Sequence, residues 1–274
     1  MKKLTITSKN SSFQIFTALK RNRSKRKKYA KILVEGVLPI TLCMRSQCVI
    51  EAIIVERGKT LSQWAHDIID QIDCPSLYIV EKNLMSELSE KDETSELMLV
   101  VEYPQTGITE LNLEDLKQIL VIDRPSNPGN LGAIIRTCDA FHINVVFLTG
   151  HSVDPYDPKT ITASRGTIFT VPVVSIESNV QLNDLISELK KMYNHFTVYG
   201  SSGTYGTNIQ DMRLAQDFCL IIGNETYGMN DFLKTLSDDV IRIGMHGSAS
   251  SLNVACATSI MLYELTRTVQ HPAS

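Results

Sequence analysis

The chain lacks most of what would build a secreted, membrane-spanning or metal-held protein. Its six cysteines, at 43, 48, 74, 138, 219 and 256, form no CxxC pair, and no histidine lies at the short spacing that a zinc site needs. They read as reduced thiols, and no metal is expected. No apolar stretch reaches the ~18–20 residues of a membrane span, and the basic start Met1-Lys-Lys-Leu-Thr-Ile-Thr-Ser-Lys-Asn10 runs straight into polar residues. A soluble, cytoplasmic chain with no membrane partner is expected. There is no GxGxxG dinucleotide fingerprint, and Gly223-x4-Gly228 is followed by Met229, not by the Lys-Ser or Lys-Thr of a phosphate loop. Kinase, GTPase and dehydrogenase chemistry lose their main support. Ser251 lacks the GxSxG elbow of a serine hydrolase.

What is present is length, apolar content and one dense positive run. With 274 residues and 43% hydrophobic content, the chain can bury one sizeable α/β domain and a smaller one. The net charge is −3, yet Lys20 to Lys31 (KRNRSKRKKYAK) carries eight Lys or Arg and no acid, which leaves the rest near −11. Such a run is either a solvated helix face or arm, or a polyanion-binding element. Clustered cations release counterions when they neutralise phosphates, which favours nucleic acid as the partner.

Along the chain, residues 11–30 read as a basic helix or arm, and Ile32-Leu-Val-Glu35-Gly36 as an apolar run ending in a turn. Ile50–Val55, Ser76–Val80 and Leu97–Glu102 are strand-like, and Leu61–Ile72 has helical spacing. The expected division is a domain at 1–103, a linker at 104–117 holding Pro and Gly without periodicity, and a second domain at 118–274. That second part alternates: strand Ile119–Asp123, helix Leu131–Phe141, strands Asn144–Leu148 and Phe169–Val174, helix 180–193, strands 196–200, 218–222 and 240–243, and helix 252–267. Alternation of this kind predicts an α/β fold, a mostly parallel sheet with helices on both faces and ligands at the carboxyl ends of its strands.

Three blocks fall at such ends. In Asn127-Pro-Gly-Asn-Leu-Gly-Ala-Ile-Ile-Arg136, either Asn127 or Asn130 can cap a helix whose buried stripe is Leu131, Ile134, Ile135 and Cys138. Arg136 lies off that stripe, one turn from Gly132 and Ala140, where a guanidinium can meet a phosphate or ribose oxygen or form an ordinary surface ion pair. Ile222-Gly-Asn-Glu225-Thr-Tyr-Gly-Met229 follows an apolar run, so Gly223 lets backbone approach a flat ligand, and Glu225 is the acid of the loop. Ile243-Gly-Met-His-Gly-Ser-Ala-Ser-Ser251-Leu-Asn253 leads to a helix opening near Ser250 or Ser251. Helix capping accounts for one serine there, while Ser248, Ser250, Ser251 and Asn253 place several polar groups beside free N–H groups.

In order and spacing these blocks resemble the SpoU class (TrmH type) of the SPOUT superfamily of RNA methyltransferases, over about residues 118–270. The first domain, with its basic arm and Leu33-Val-Glu-Gly36, is similar to the RNA-binding substrate domain that many members carry. The resemblance implies a deep trefoil knot, bound S-adenosylmethionine, a homodimer and an RNA substrate, ribosomal in preference to transfer RNA. By position it implies cofactor contacts at Gly223, Ile243, Leu252, Met245 and Leu148. Asn130, Arg136, Glu225, Ser251 and Asn253 match catalytic or substrate-binding positions. RNA contacts are expected from Lys20, Arg21, Arg23, Lys25, Arg26, Lys27, Lys28 and Arg165. Three positions depart from the pattern: Gly244 where Pro is common, His142 where Gly is common, and Thr162 where Arg is common, with Arg165 a possible replacement for the last.

The reaction so implied is ribose 2′-O-methylation, with the hydroxyl held ~3–3.5 Å from the methyl carbon. A guanidinium does not readily surrender its proton, so Arg136 reads as a cation that lowers the hydroxyl pKa and grips a phosphate. A base-methylating relative and a catalytically silent RNA-binding paralogue are the alternatives.

Overall fold

Buried strands of a parallel sheet are covered on both faces and therefore read as unbroken apolar runs, which is how most strands of this protein are written. The computed structural model describes residues 1–91, 93–249 and 251–267. Along the chain it contains β1 (Lys2–Ile6), α1 (Ser11–Arg21), α2 (Arg23–Tyr29), β2 (Lys31–Glu35), α3 (Val37–Arg45), β3 (Ile50–Glu56), α4 (Gln63–Gln71), β4 (Ser76–Val80), α5 (Lys82–Leu88) and β5 (Leu97–Glu102). There follow β6 (Gln118–Asp123), α6 (Pro128–Ala140), β7 (Val145–Thr149), α7 (Pro158–Ala163), β8 (Val173–Ile176), α8 (Asn179–Met192), β9 (Thr197–Ser201), β10 (Thr207–Asn208), β11 (Phe218–Ile222), α9 (Asp231–Leu236), β12 (Asp239–Arg242) and α10 (Val254–Arg267).

The chain divides into two compact units: Met1–Gln105 with Tyr156–Thr170, and Thr106–Pro155 with Val171 onward. The first holds a five-stranded sheet of order β1-β4-β3-β5-β2, in which β1, β4 and β3 are parallel and β5 runs against β3 and β2. Phe13, Phe16 and Leu19 of α1 and Leu84, Met85 and Leu88 of α5 pack on this sheet with Ile54, Val80, Met98 and Val100. Glu35 of the Leu-Val-Glu-Gly stretch is buried, and its carboxylate accepts from Ser89 Oγ at 2.5 Å and from the Glu90 amide at 2.9 Å. Its role there is to hold a loop.

Residues 156–170 were expected within the second domain, yet they pack in the first unit. Local contacts explain the difference. Gly166 sits at φ +90°, and a Cβ there would lie 2.5 Å from the Pro39 Cα, so only glycine fits. Ser46 Oγ donates to the Phe169 carbonyl at 2.6 Å, and Tyr156 meets Tyr103 edge-on with ring centroids 5.0 Å apart. The strand expected at Phe169–Val174 begins only at Val173, after Pro172, which has no N–H for the ladder. Residues Thr167–Phe169 form a 3₁₀ turn instead.

The second unit is built on a seven-stranded, wholly parallel sheet of order β10-β12-β9-β11-β6-β7-β8. Ile119, Val121, Val145, Phe147, Val198, Cys219 and Ile221 face α8 and α9, where Leu182, Leu185, Ile186, Leu189 and Leu233 complete the core. By alternation Leu120, Ile122, Val146, Leu148, Leu220 and Ile222 face the other way, and they are equally buried. α6 and α10 pack on each other, with Thr137 Oγ1 and Ser259 Oγ 2.9 Å apart. Among the described residues no helix is long and apolar enough to cross a membrane.

Candidate active site

Each of the three blocks follows a strand of this parallel sheet, and each is held in place by its own side chains. In the first, Asn127 is the cap of α6: its Oδ1 accepts from the Asn130 amide at 3.0 Å, and Pro128 occupies the first helical turn. That leaves the Asn130 side chain free for longer-range contacts. His142, two residues after the end of α6, takes φ +56°, the left-handed conformation that glycine favours. His at this position therefore holds a glycine-favoured backbone at a cost in strain.

In the second block, Asn224 closes a tight loop. Its N–H donates to the Gly228 carbonyl at 3.1 Å, the Gly228 N–H donates back at 2.9 Å, and Asn224 Oδ1 accepts from the amides of Thr226 and Tyr227. A Cβ on Gly223 would lie 2.4 Å from the Met229 nitrogen, so the close approach of loop to strand end requires glycine. Glu225 sits at the exposed tip of the loop.

In the third block, residues 243–249 and 251–253 carry no regular structure before α10. The helix opens at Val254, later than the expected Ser250 or Ser251, because Asn253 Oδ1 accepts from the Ala255 amide at 2.8 Å and serves as the cap. Ser251 is thereby free of the capping role, while Ser250 lies outside the described residues.

Side chains join the blocks. Glu225 accepts from Ser126 Oγ at 3.1 Å and from Asn130 Nδ2 at 3.4 Å, and Asn253 Nδ2 donates to Asn130 Oδ1 at 3.1 Å. Residues 95 and 123 positions away from Asn130 in sequence thus share one polar network. Beside it lies a cavity of 440 Å³, lined by Gly223, Glu225, Ile243, Met245, Ser251 and Leu252 among the expected residues. Its volume falls within the ~300–1,000 Å³ of small-molecule sites. Lining residues missed in the sequence are Ser201–Tyr205, at the carboxyl end of β9, together with Lys234 and Met261. The Ser-Ser-Gly run after a strand was the available signal for the first of these. Lys234 pairs with Asp231 at 2.9 Å, and this hydrogen bond raises its pKa.

Some expected residues lie elsewhere. Leu148 is buried on β7, two strands away from β11, and does not line the cavity. Arg136 is exposed on α6, outside the cavity lining, and its side chain makes no hydrogen bond or ion pair with the described residues. Its guanidinium is open to a ligand.

The basic run folds into α1, α2 and the first residue of β2, where Lys31 pairs with Glu51, and Arg26 and Lys20 are held by the fold. Arg26 is 1% exposed. Its guanidinium donates to the carbonyls of Leu19 and Lys20 at 2.9 and 3.2 Å and to Asp157 Oδ2 at 2.9 Å. Lys20 Nζ donates to the carbonyls of Glu87 and Ser89 at 3.0 and 2.6 Å and faces Glu90 at 3.3 Å. Neither is available to RNA as expected, because folding has already spent its donors. Arg21, Lys27 and Lys28 are exposed, and Arg23 and Lys25 are half-buried. Arg21 and Lys25 line a second cavity with Lys9, Gln14, Thr17 and Glu87. Arg165 is exposed at φ +56°.

The fold and the site define a SpoU-type methyltransferase: the chain belongs to the SpoU rRNA Methylase family, whose model matches residues 117–263, and residues 10–100 match the SpoU L30e-like domain. It is 34% identical to the 23S rRNA (uridine(2479)-2′-O)-methyltransferase of Streptomyces viridochromogenes, over 96% of this chain and 91% of that protein. It is 28% identical to the 23S rRNA (guanosine(2553)-2′-O)-methyltransferase RlmP of Bacillus subtilis (strain 168), over 89% and 91% of the two chains. The crystal structure of the SpoU methyltransferase AviRb from Streptomyces viridochromogenes with its cofactor AdoMet superimposes with a TM-score of 0.87. That pair shares 33% identity, over 95% of this chain and 98% of the other.

Proposed function

We propose that the protein is an S-adenosylmethionine-dependent methyltransferase acting on a ribose 2′-hydroxyl of ribosomal RNA. The observation that carries this reading is the meeting of three distant sequence blocks in one polar network beside one cavity. The cavity fits the cofactor's chemistry. Apolar Ile243, Met245, Leu252 and Met261 suit an adenine ring, and the loops at 201–205 and 223–229 offer backbone groups for ribose and amino-acid ends. When bound there, the cofactor supplies an electrophilic methyl group.

The chain's own residues would do the rest. Arg136 brings an unpaired, permanently charged guanidinium, which grips an RNA phosphate and favours the ionised hydroxyl electrostatically. Glu225, held by Ser126 and Asn130, has a fixed position at the cavity lip, where it can accept a hydrogen bond from the target nucleotide. Ser251 and Asn253 orient the ribose side. RNA is gripped in addition by Arg21, Arg23, Lys25, Lys27 and Lys28 of the first unit and by Arg165, whose charges act without sequence preference.

The protein is further proposed to be cytoplasmic and to be a homodimer, the dimer supported by the exposure of Ile260 and Tyr263 on α10. A trefoil knot at the C-terminal end is proposed from the family resemblance. It accords with a chain that leaves β12, separated from β11 by β9, and returns through α10 to pack on α6.

The test is transfer of labelled methyl from S-adenosylmethionine to ribosomal RNA from cells lacking the protein, with S-adenosylhomocysteine as competitor. Competed transfer to RNA supports the reading. Cofactor binding with no transfer to any RNA would indicate a silent RNA-binding paralogue.

A further inference from the structure

Asp123, the last residue of β6, is fully buried, and its carboxylate accepts five hydrogen bonds. Oδ1 accepts from Arg124 Nε at 2.9 Å, Thr149 Oγ1 at 3.1 Å and Asn230 Nδ2 at 3.2 Å. Oδ2 accepts from Arg124 Nη2 at 2.8 Å and from the Asn230 amide at 2.9 Å. A buried carboxylate is costly unless its lone pairs are met in this way, so the five donors are fixed by the charge they serve. Removing the charge releases them.

Four of the five donors reach the loop of Glu225 or its holder. Asn230 closes that loop and caps α9, its Oδ1 accepting from the Leu233 amide at 2.9 Å. Arg124 takes φ +47°, which folds its side chain back onto Asp123, and its Nη2 approaches the Gly228 carbonyl at 3.4 Å. The Arg124 carbonyl accepts from Asn224 Nδ2 at 2.8 Å, at the opposite end of the loop. Both ends of the segment Asn224–Asn230 are thus tied to one carboxylate. That segment carries Glu225 and supplies the wall of the cavity from Asn224 to Met229.

We propose that Asp123 is a positioning residue for the reaction, fixing the Asn224–Asn230 loop through Arg124 and Asn230 and thereby placing Glu225 and one wall of the cofactor cavity. The inference rests on the methyl-transfer reading for its kinetic consequence, but the loop's order is measured independently. Thr149 supplies the control: its side chain donates to the same carboxylate and makes none of the loop hydrogen bonds, while its carbonyl, which accepts from the Arg124 amide at 3.1 Å, is kept in Thr149→Val. With a merely structural Asp123, Thr149→Val and Arg124→Met differ in stability, since Arg124 alone supplies two charge-assisted bonds, but not in cofactor affinity or in exchange confined to the loop. A positioning Asp123 separates them.

The experiment compares Arg124→Met, Asn230→Ala, Thr149→Val and Asp123→Asn in the full chain. It measures S-adenosylhomocysteine affinity by calorimetry, hydrogen exchange at residues 224–230, and kcat and KM for RNA. Arg124→Met and Asn230→Ala should weaken S-adenosylhomocysteine binding by about tenfold, speed exchange in the loop alone and lower kcat, with the RNA KM unchanged. Thr149→Val should leave all of these within about twofold. Asp123→Asn, if it folds, should combine the losses. Equal and small effects of Arg124→Met and Thr149→Val on cofactor affinity and loop exchange would overturn the proposal. Methyl transfer absent in the unaltered protein would instead count against the reaction, and the exchange and binding results would still judge the clamp.

Discussion

Asn253 donates its side-chain amide to Asn130 Oδ1 at 3.1 Å, and this one contact joins the start of α10 to the start of α6. Asn130 passes the connection on to Glu225 through its own amide at 3.4 Å. Asn130 is therefore the centre of the network although it does not line the cavity. Asn130→Ala removes both contacts, each worth ~1 kcal/mol. We expect kcat to fall by about tenfold to thirtyfold, with S-adenosylhomocysteine affinity within about threefold of the unaltered protein. Single-turnover kinetics and calorimetry check this.

The ion pair of Arg26 with Asp157 ties the basic helix α2 to the cap of α7. Asp157→Ala strands a guanidinium whose side chain is 2% exposed, and also removes the acceptor for the Lys159 amide. Breaking such a pair should cost about 3 kcal/mol, the lower end of the usual range because Asp157 is itself partly exposed. Asp157→Asn keeps the acceptor and should cost less. Urea unfolding followed by a probe in the first unit measures both.

His142 holds a left-handed conformation at the end of α6, with its N–H donating to the Asp139 carbonyl at 3.3 Å. Glycine relieves the strain but adds conformational entropy to the unfolded chain, which offsets part of the gain, so His142→Gly should stabilise the protein by a net of about 0.5–1 kcal/mol. Thermal unfolding at matched pH checks the sign.

How much of this was legible beforehand follows from the kind of contact involved. The strands of the second unit were readable because a sheet covered on both faces needs unbroken apolar runs, as at Phe218–Ile222. The three blocks were readable because Gly, Asn and Ser cluster where strands end. Arg26 was not distinguishable from Lys27 or Lys28, since burial of one cation in a basic run depends on Asp157, far along the chain. Asp123 was likewise seen only as the end of a strand, because its importance lies in donors from three separate segments. The placing of Tyr156–Thr170 in the first unit rests on Gly166 meeting Pro39, a contact with no sequence period.

Of the cations left open in the first unit, Arg21 and Lys25 share a cavity with Lys9, and one carboxylate, Glu87, lies among them. Lys9 pairs with Glu87 at 2.7 Å and lowers its pKa. The double variant Arg21→Glu/Lys25→Glu should weaken RNA binding by about tenfold or more and flatten its salt dependence. S-adenosylhomocysteine binding should not change. Fluorescence anisotropy over a salt series reports the first and calorimetry the second.

The most direct measurement of the central claim is nucleoside analysis of ribosomal RNA methylated by the unaltered protein and by Arg136→Ala and Arg136→Lys. A 2′-O-methyl nucleoside should form with the unaltered protein, vanish with Arg136→Ala and stay at least about tenfold reduced with Arg136→Lys, because an ammonium cannot reproduce the planar fork. A methylated base, or a 2′-O-methyl nucleoside formed at full rate without Arg136, would contradict the account.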